Sequence, residues 1–329
     1  DDTAVLMTNV VFVDGRNRSG AENGTGEHPY NTIQEGVDAA PAGTTVYVYD
    51  KPLSYRENVV IDTPDLTVMG AGVPVRGRGL QRFGGSYPVV DGHSQGPTIT
   101  IASDDVTLTG MKITNTDRNK APQTITFDGA AYDISRAGIY SYNANHVTLD
   151  EVDVQGNEIG ALLTADAGSE FHTTIEDSTF SGNGAAGLII LGRGSSGTFN
   201  AFISTSSFSK NGTGLTIDAQ RYQTARIEMA AVEANGNLGD GIRINMNATH
   251  SADVVMDYIH ADNNGGNGIH GTVSSGDRAL VDFSYITANS NGQDGVDIEM
   301  TGHNFMDLRV EQIEASYNNA AGLNLGVYS

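Results

Sequence analysis

Residues able to do acid–base chemistry recur in this chain at one fixed interval. Arg243, His270 and Asp297 each follow a glycine by two positions, and successive members are 27 residues apart. If that interval is one turn of a solenoid, the three become neighbours on one outward face, about 5 Å apart at the backbone. An aspartate beside an imidazole orients it, an arrangement general acid–base catalysis uses. A solvated ion-pair ladder would place the same residues in the same row. Two positions further along, Asp218 and Glu299 fall three coils apart, about 14 Å, which is wide for paired glycosidase carboxylates. Tyr140 and Tyr142 alternate on one strand and could offer a sugar an aromatic platform in a chain without Trp. Asp262 and Asp294 sit in Asp- and Asn-rich turns and supply the hard oxygens that calcium takes. No calcium-loop spacing accompanies them, and plain turn residues would look alike. Calcium is the one cofactor the sequence suggests.

The positioning elements follow from the glycines. Gly160, Gly187, Gly214, Gly241, Gly268, Gly295 and Gly322 keep the same interval, and each precedes a short apolar strand. An internal repeat of this length marks a stack of coils. In Ile242, Arg243, Ile244, Asn245 and Met246 apolar and polar residues alternate, the pattern of a strand with one buried face. Leu188, Leu215, Ile242, Ile269, Val296 and Leu323 are expected in one inward column. A second row pairs an apolar residue with a short polar one three positions on: Val154/Asn157, Phe180/Asn183, Phe208/Asn211, Val232/Asn235, Ile259/Asp262, Ile286/Asn289 and Ile313/Ser316. Stacked, these predict an asparagine ladder, with solvent-facing turn asparagines as the alternative.

Upstream the coils lengthen. The motifs opened by Asp65, Asp105 and His146 are 40 and 41 residues apart, so insertions are expected at about 73–95 and 116–135. Thr32 and Glu35 form a capping box for a short helix with Ile33, Val37 and Ala40 on one face. Such a helix would cover the open end of a solenoid. One β-helix domain over 1–329 results: cap and first strands in 1–50, irregular coils in 51–159, regular coils in 160–329. About eleven coils would make a rod on the order of 50 Å. The ends read as those of a segment of a longer protein.

Charge narrows the partners. With 18 basic and 40 acidic residues the formal charge is −22, which excludes nucleic acid and anionic membranes as partners. It also opposes tight, metal-free binding of a polyanionic polysaccharide. There is no Cys, hence no disulfide or thiolate chemistry, and no apolar run of about 18 residues to span a membrane.

The stretch from Gly24 to Gln34, with Thr45–Val48, Tyr55–Val59 and Asp105–Ile113, resembles the opening of right-handed parallel β-helix proteins of the pectate-lyase-like superfamily. The resemblance implies an all-β fold, a right-handed parallel β-helix with a short N-terminal capping helix. It is specific for fold and unspecific for activity. Tyr55-Arg56-Glu57 matches the Tyr-x-Glu of pectin methylesterases, but their Asp-Phe-Ile-Phe-Gly is absent. So are the Gly-His-Gly of polygalacturonases and the Asp-Pro-His-Glu of mannuronan epimerases. Two readings follow. One is an extracellular or cell-surface solenoid with a structural, adhesive or assembly role, partnered by polysaccharide, another copy of the chain or a surface protein. The other is a polysaccharide lyase or glycoside hydrolase acting on the outward strand face.

Overall fold

Period-two alternation folds the chain into parallel rows of strands that wind around one apolar core. The computed structural model describes residues 9–72, 86–93, 96–116, 121–166 and 170–328. The glycine-led face stacks Val59–Ile61, Ile99–Ile101, Ala137–Tyr142, Ile159–Asp166 and Ala186–Arg193, and continues to Leu323–Tyr328. A second face begins with Val10–Val13 and Thr45–Val48 and ends with Phe305–Glu314. A third, shorter face runs from Tyr55–Arg56 through Asp153–Gln155 to Ser207–Ser209. Beyond it, Thr213–Glu233 and Ile242–His260 turn the corners without leaving strand, bending at Arg221, Ala231 and Tyr258, where φ is positive.

The solenoid makes about nine turns. That is fewer than chain length suggests, because the helix fills one level of the glycine-led face and the early coils carry excursions. The inward column is as expected: Leu188 pairs with Leu215, then Ile242, Ile269, Val296 and Leu323 in register. Phe171 stacks on Phe199 and Phe180 on Phe208, with ring centroids 5.1 and 5.2 Å apart.

The asparagine ladder exists, with a shift. Asn157, Asn183 and Asn211 belong to it, but it continues through Asn237, Asn264, Asn291 and Asn318. Ser207 pairs with Glu233, so Phe208 stands above Ala234 and not Val232. Asn235, Asp262, Asn289 and Ser316 form a separate outer row instead. The inner ladder explains the glycine repeat. A Cβ on Gly241 would lie 2.7 Å from Asn264 Nδ2 and 2.6 Å from the Gly268 carbonyl oxygen. Equivalent crowding meets Gly160, Gly187, Gly214, Gly268 and Gly295. The interval that organises the sequence is the space the ladder amides need.

The N-terminal cap forms as its motif predicts. The helix spans Ile33–Ala39, with Thr32 and Glu35 closing the capping box. Gln34 imitates a missing strand: its Nε2 donates to the Val60 carbonyl (3.0 Å) and its Oε1 accepts from the Val60 N–H (2.7 Å). Glu57 accepts from the Ile33 and Gln34 N–H groups at the helix start. Tyr55 is fully buried, donating to the Tyr49 carbonyl and accepting from the Gly15 N–H. The Tyr-x-Glu match is therefore part of the cap's scaffolding.

Candidate functional site

Strand pairing brings the outward residues of the glycine-led face into two adjacent rows. Thr216, Arg243, His270, Asp297 and Asn324 succeed one another coil by coil. Beside them run Leu191, Asp218, Asn245, Thr272 and Glu299. Within the first row His270 Nδ1 meets Asp297 Oδ2 at 2.9 Å, and Asn324 Nδ2 donates to the other carboxylate oxygen at 2.8 Å. Asp297 is thus held from both sides. Arg243 is exposed and makes no ion pair among the described residues. In the second row Gln220 donates to Asp218 Oδ1 (2.7 Å), and Thr272 donates to Asn245 Oδ1 (2.9 Å).

One wall of this face is a hairpin inside the insertion expected at about 116–135. Thr124–Phe127 pairs antiparallel with Ala130–Asp133. Asp128 and Gly129 both have positive φ, the turn that suits the twist of paired strands. Arg193 forms an ion pair with Asp128 at its tip. Ile125, Phe127 and Tyr132 pack on Tyr140, Leu162, Ile189 and Leu191, an apolar cluster outside the solenoid core. This is why the outward residues of those coils are apolar. The Asp-Gly pair between alternating segments was the available signal for the hairpin. The other expected insertion, 73–95, lies largely outside the described residues.

Where the hairpin ends, a groove of about 400 Å³ opens, lined by Tyr132, Asp218, Arg243, Asn245, His270 and Thr272. Burial raises the Tyr132 hydroxyl pKa, and the Asp218 carboxylate pushes it further the same way. Burial lowers the Arg193 guanidinium pKa, with Arg221 adding to the effect. The groove therefore offers a phenol kept protonated, one unpaired cation, a carboxylate, an amide, a hydroxyl and an imidazole–carboxylate pair. It can hold a polyhydroxylated ligand by exchanged hydrogen bonds, and His270 can accept or release a proton at its edge.

The remaining sequence candidates fare differently. Tyr140 and Tyr142 do not form an open platform: Tyr140 is 8% exposed under the hairpin, and only Tyr142, at 56%, meets solvent. Asp262 and Asp294 lie in different rows, each spending carboxylate oxygen on the next coil. Asp262 Oδ1 accepts from the Asn289 N–H (2.5 Å) and Asp294 Oδ1 from the Ala321 N–H (2.6 Å). Among the described residues no three acidic or histidine side chains converge to hold a metal ion. Those aspartates are ladder members, satisfying turn N–H groups as asparagine does elsewhere. No helix among the described residues is long and apolar enough to cross a membrane.

Comparison with known proteins bears on the fold. No curated protein sequence matches the chain. Among solved structures it is similar to the A-module of the mannuronan C-5 epimerase AlgE6 of Azotobacter vinelandii, at 16% identity and a TM-score of 0.51, covering 87% of this chain and 71% of that one. Pectate lyase Pel9A is 11% identical with a TM-score of 0.53, covering 94% and 79%. The Dettilon tailspike protein is 12% identical with a TM-score of 0.55, covering 95% and 62%. At such identities the likeness is one of architecture. A family model described as the right handed beta helix region matches residues 137–312, more than half of the chain. The chain belongs to the right-handed β-helix family.

Proposed function

We propose that this protein is a carbohydrate-binding β-solenoid, a single β-helix domain working outside the cell or on its surface, whose ligand lies in the groove beneath Tyr132. The observation that carries the reading is the groove itself. An aromatic residue on a hairpin stands over a hydrogen-bonding floor of Asp218, Asn245 and Thr272, with Arg243 and His270 alongside. Saccharide recognition asks for an apolar ring beside a few convergent polar groups. Both floor rows are set at the coil spacing, so an extended chain along the axis meets a polar side chain at each step. The structural neighbours named for mannuronan and for pectate favour the ligand class. The charge of −22 and the single unpaired cation in the groove favour a neutral chain over a uronate one. Calorimetric titration with neutral and uronate oligosaccharides tests this. A neutral ligand weakened about tenfold or more by Arg243→Ala and by Tyr132→Ala is expected. Absence of binding across the panel refutes the reading.

One observation favours a second reading, a carbohydrate-active enzyme. The His270–Asp297 pair, at 2.9 Å, opens onto the same groove and has the geometry of an oriented acid–base residue. The same panel, assayed for new reducing ends and unsaturated products, separates the two. Turnover abolished by His270→Ala supports the enzyme, whereas saccharide binding without turnover leaves the binding module.

A further inference from the structure

A corner column away from the groove carries a second feature that the fold does not require. Glu151, Asp177, Thr205, Ala231, Tyr258, Tyr285 and Gln312 occupy the same corner of successive coils, and all have positive φ. The variety of residues shows that coil geometry imposes this backbone and asks nothing of the side chain. Bulky residues rarely adopt it. Yet two consecutive coils place tyrosine there, 52% and 38% exposed. Their rings lie parallel, 3° apart, with centroids separated by 4.6 Å. That separation is the coil spacing, so the ring planes lie across the solenoid axis. The face of Tyr258 turned away from Tyr285 looks toward Ala231, whose methyl leaves it open. Beside the pair runs a groove of about 400 Å³, whose opposite wall is His260, Thr287 and Glu314, with Gln312 closing the row. His260 Nδ1 and Thr287 Oγ1 are 2.7 Å apart, and Thr287 also reaches Asp262.

We infer that Tyr258 and Tyr285 form a second saccharide-binding site, for pyranose rings of a neutral chain, distinct from the groove under the hairpin. A stacked pair is preorganised, so a ligand need not order either ring on binding. The apolar face of one pyranose fits the free face of Tyr258, and further sugars of the same chain, running along the coils, meet the tyrosine hydroxyls, Thr287 and Gln312. Glu314 and Asp262 beside the groove repel an anionic ligand. A protein partner is disfavoured by size, since a stable protein interface buries more than roughly 1,000 Å² and this feature spans three coils.

The inference does not depend on the first groove, and one experiment keeps the two apart. Saturation-transfer NMR would use the full chain with cellotetraose, mannotetraose, xylotetraose and maltotetraose. The proteins compared are wild type, the Tyr258→Ala/Tyr285→Ala double variant and Arg243→Ala. Alanine already stands at this corner in Ala231, so the double variant keeps the fold, which far-UV circular dichroism checks. At least one tetramer should bind wild type and Arg243→Ala alike, and bind the double variant about tenfold more weakly or worse. If every tetramer that binds is bound equally by the double variant, or if no tetramer binds at all, the second site is overturned. Binding lost only in Arg243→Ala leaves the first groove standing and removes this one.

Discussion

Replacing Asn264 with alanine tests the device on which the regular coils depend. Asn264 is 2% exposed, and its Oδ1 accepts from both the backbone N–H and the Nδ2 of Asn237, each at 3.0 Å. Its own backbone N–H donates to Asn291 Oδ1 at 2.9 Å, a bond that alanine retains. The Asn237 amide keeps its second bond, to the Phe208 carbonyl. Asn264→Ala therefore orphans two buried donors on Asn237. At about 1–3 kcal/mol for each unsatisfied group the loss should be about 2–6 kcal/mol. Asn264→Asp should be worse, because it sets a carboxylate oxygen against Asn291 Oδ1, now 3.1 Å from the Nδ2 it would replace. Asp262→Asn in the outer row is the control, since the amide oxygen can still accept from Asn289. Urea unfolding gives the stability, and hydrogen exchange at the Asn237 amide shows whether the damage is local, as a nearest-neighbour stack predicts. A loss under about 1 kcal/mol for Asn264→Ala, or an equal loss for Asp262→Asn, refutes the account.

Three other outcomes are expected. Burial, and next the stacked His146, lower the His172 pKa below its ordinary 6.5, so the folded state takes up this proton less readily than the unfolded one. The stabilising contribution is full above that value and is lost as pH falls through the folded pKa; His172→Asn should flatten that part of a melting-temperature profile. Tyr55 and Tyr222, raised to about 12 by burial, should resist spectrophotometric titration until the other tyrosines have ionised, and Tyr55→Phe should remove one resistant group. Their share of stability is full below pH about 10 and lost as pH rises through the folded value. Ile189→Asp, placing a charge under the hairpin, should speed proteolysis within 121–135 while far-UV circular dichroism holds; unchanged cleavage would mean the cluster does not hold the hairpin down.

The sequence exposed what the backbone enforces. The glycine interval was legible because a Cβ at those positions collides with a carbonyl and an amide. It correctly placed Arg243, His270 and Asp297 in one row. The slip from Asn237 to Asn235 was not legible from spacing. A shift of two residues along a strand keeps every inward side chain inward, so Val232 and Ala234 fit the pattern equally well. Both are fully buried. The burial of Tyr140 was hidden for another reason. It belongs to a cluster that Ile125, Phe127 and Tyr132 pack against, from a segment whose landing place no periodicity reports. Spacing could not sort Asp262 and Asp294 between two roles, because an acceptor oxygen serves a turn N–H as readily as it serves calcium.

The groove also shows where unlike walls arise on such a solenoid. Regular coils alone give a flat ladder, in which every outward side chain has similar neighbours above and below. Irregular coils alone lack the even spacing that sets Asp218, Asn245 and Thr272 in line. The groove arises where the two meet. The hairpin leaves the chain before Ala137, lies over Leu162, Ile189 and Leu191, and ends with Tyr132 against the first polar coil. Outward residues change there from Ile189 and Leu191 to Thr216 and Asp218. The apolar coils anchor the hairpin, and the polar ones that follow face the space beside it. Asp218 lines the groove with Tyr132 across that boundary, and its charge adds to burial in raising the Tyr132 hydroxyl pKa. The boundary between an insertion and a regular ladder is thus what gives this face a pocket with unlike walls.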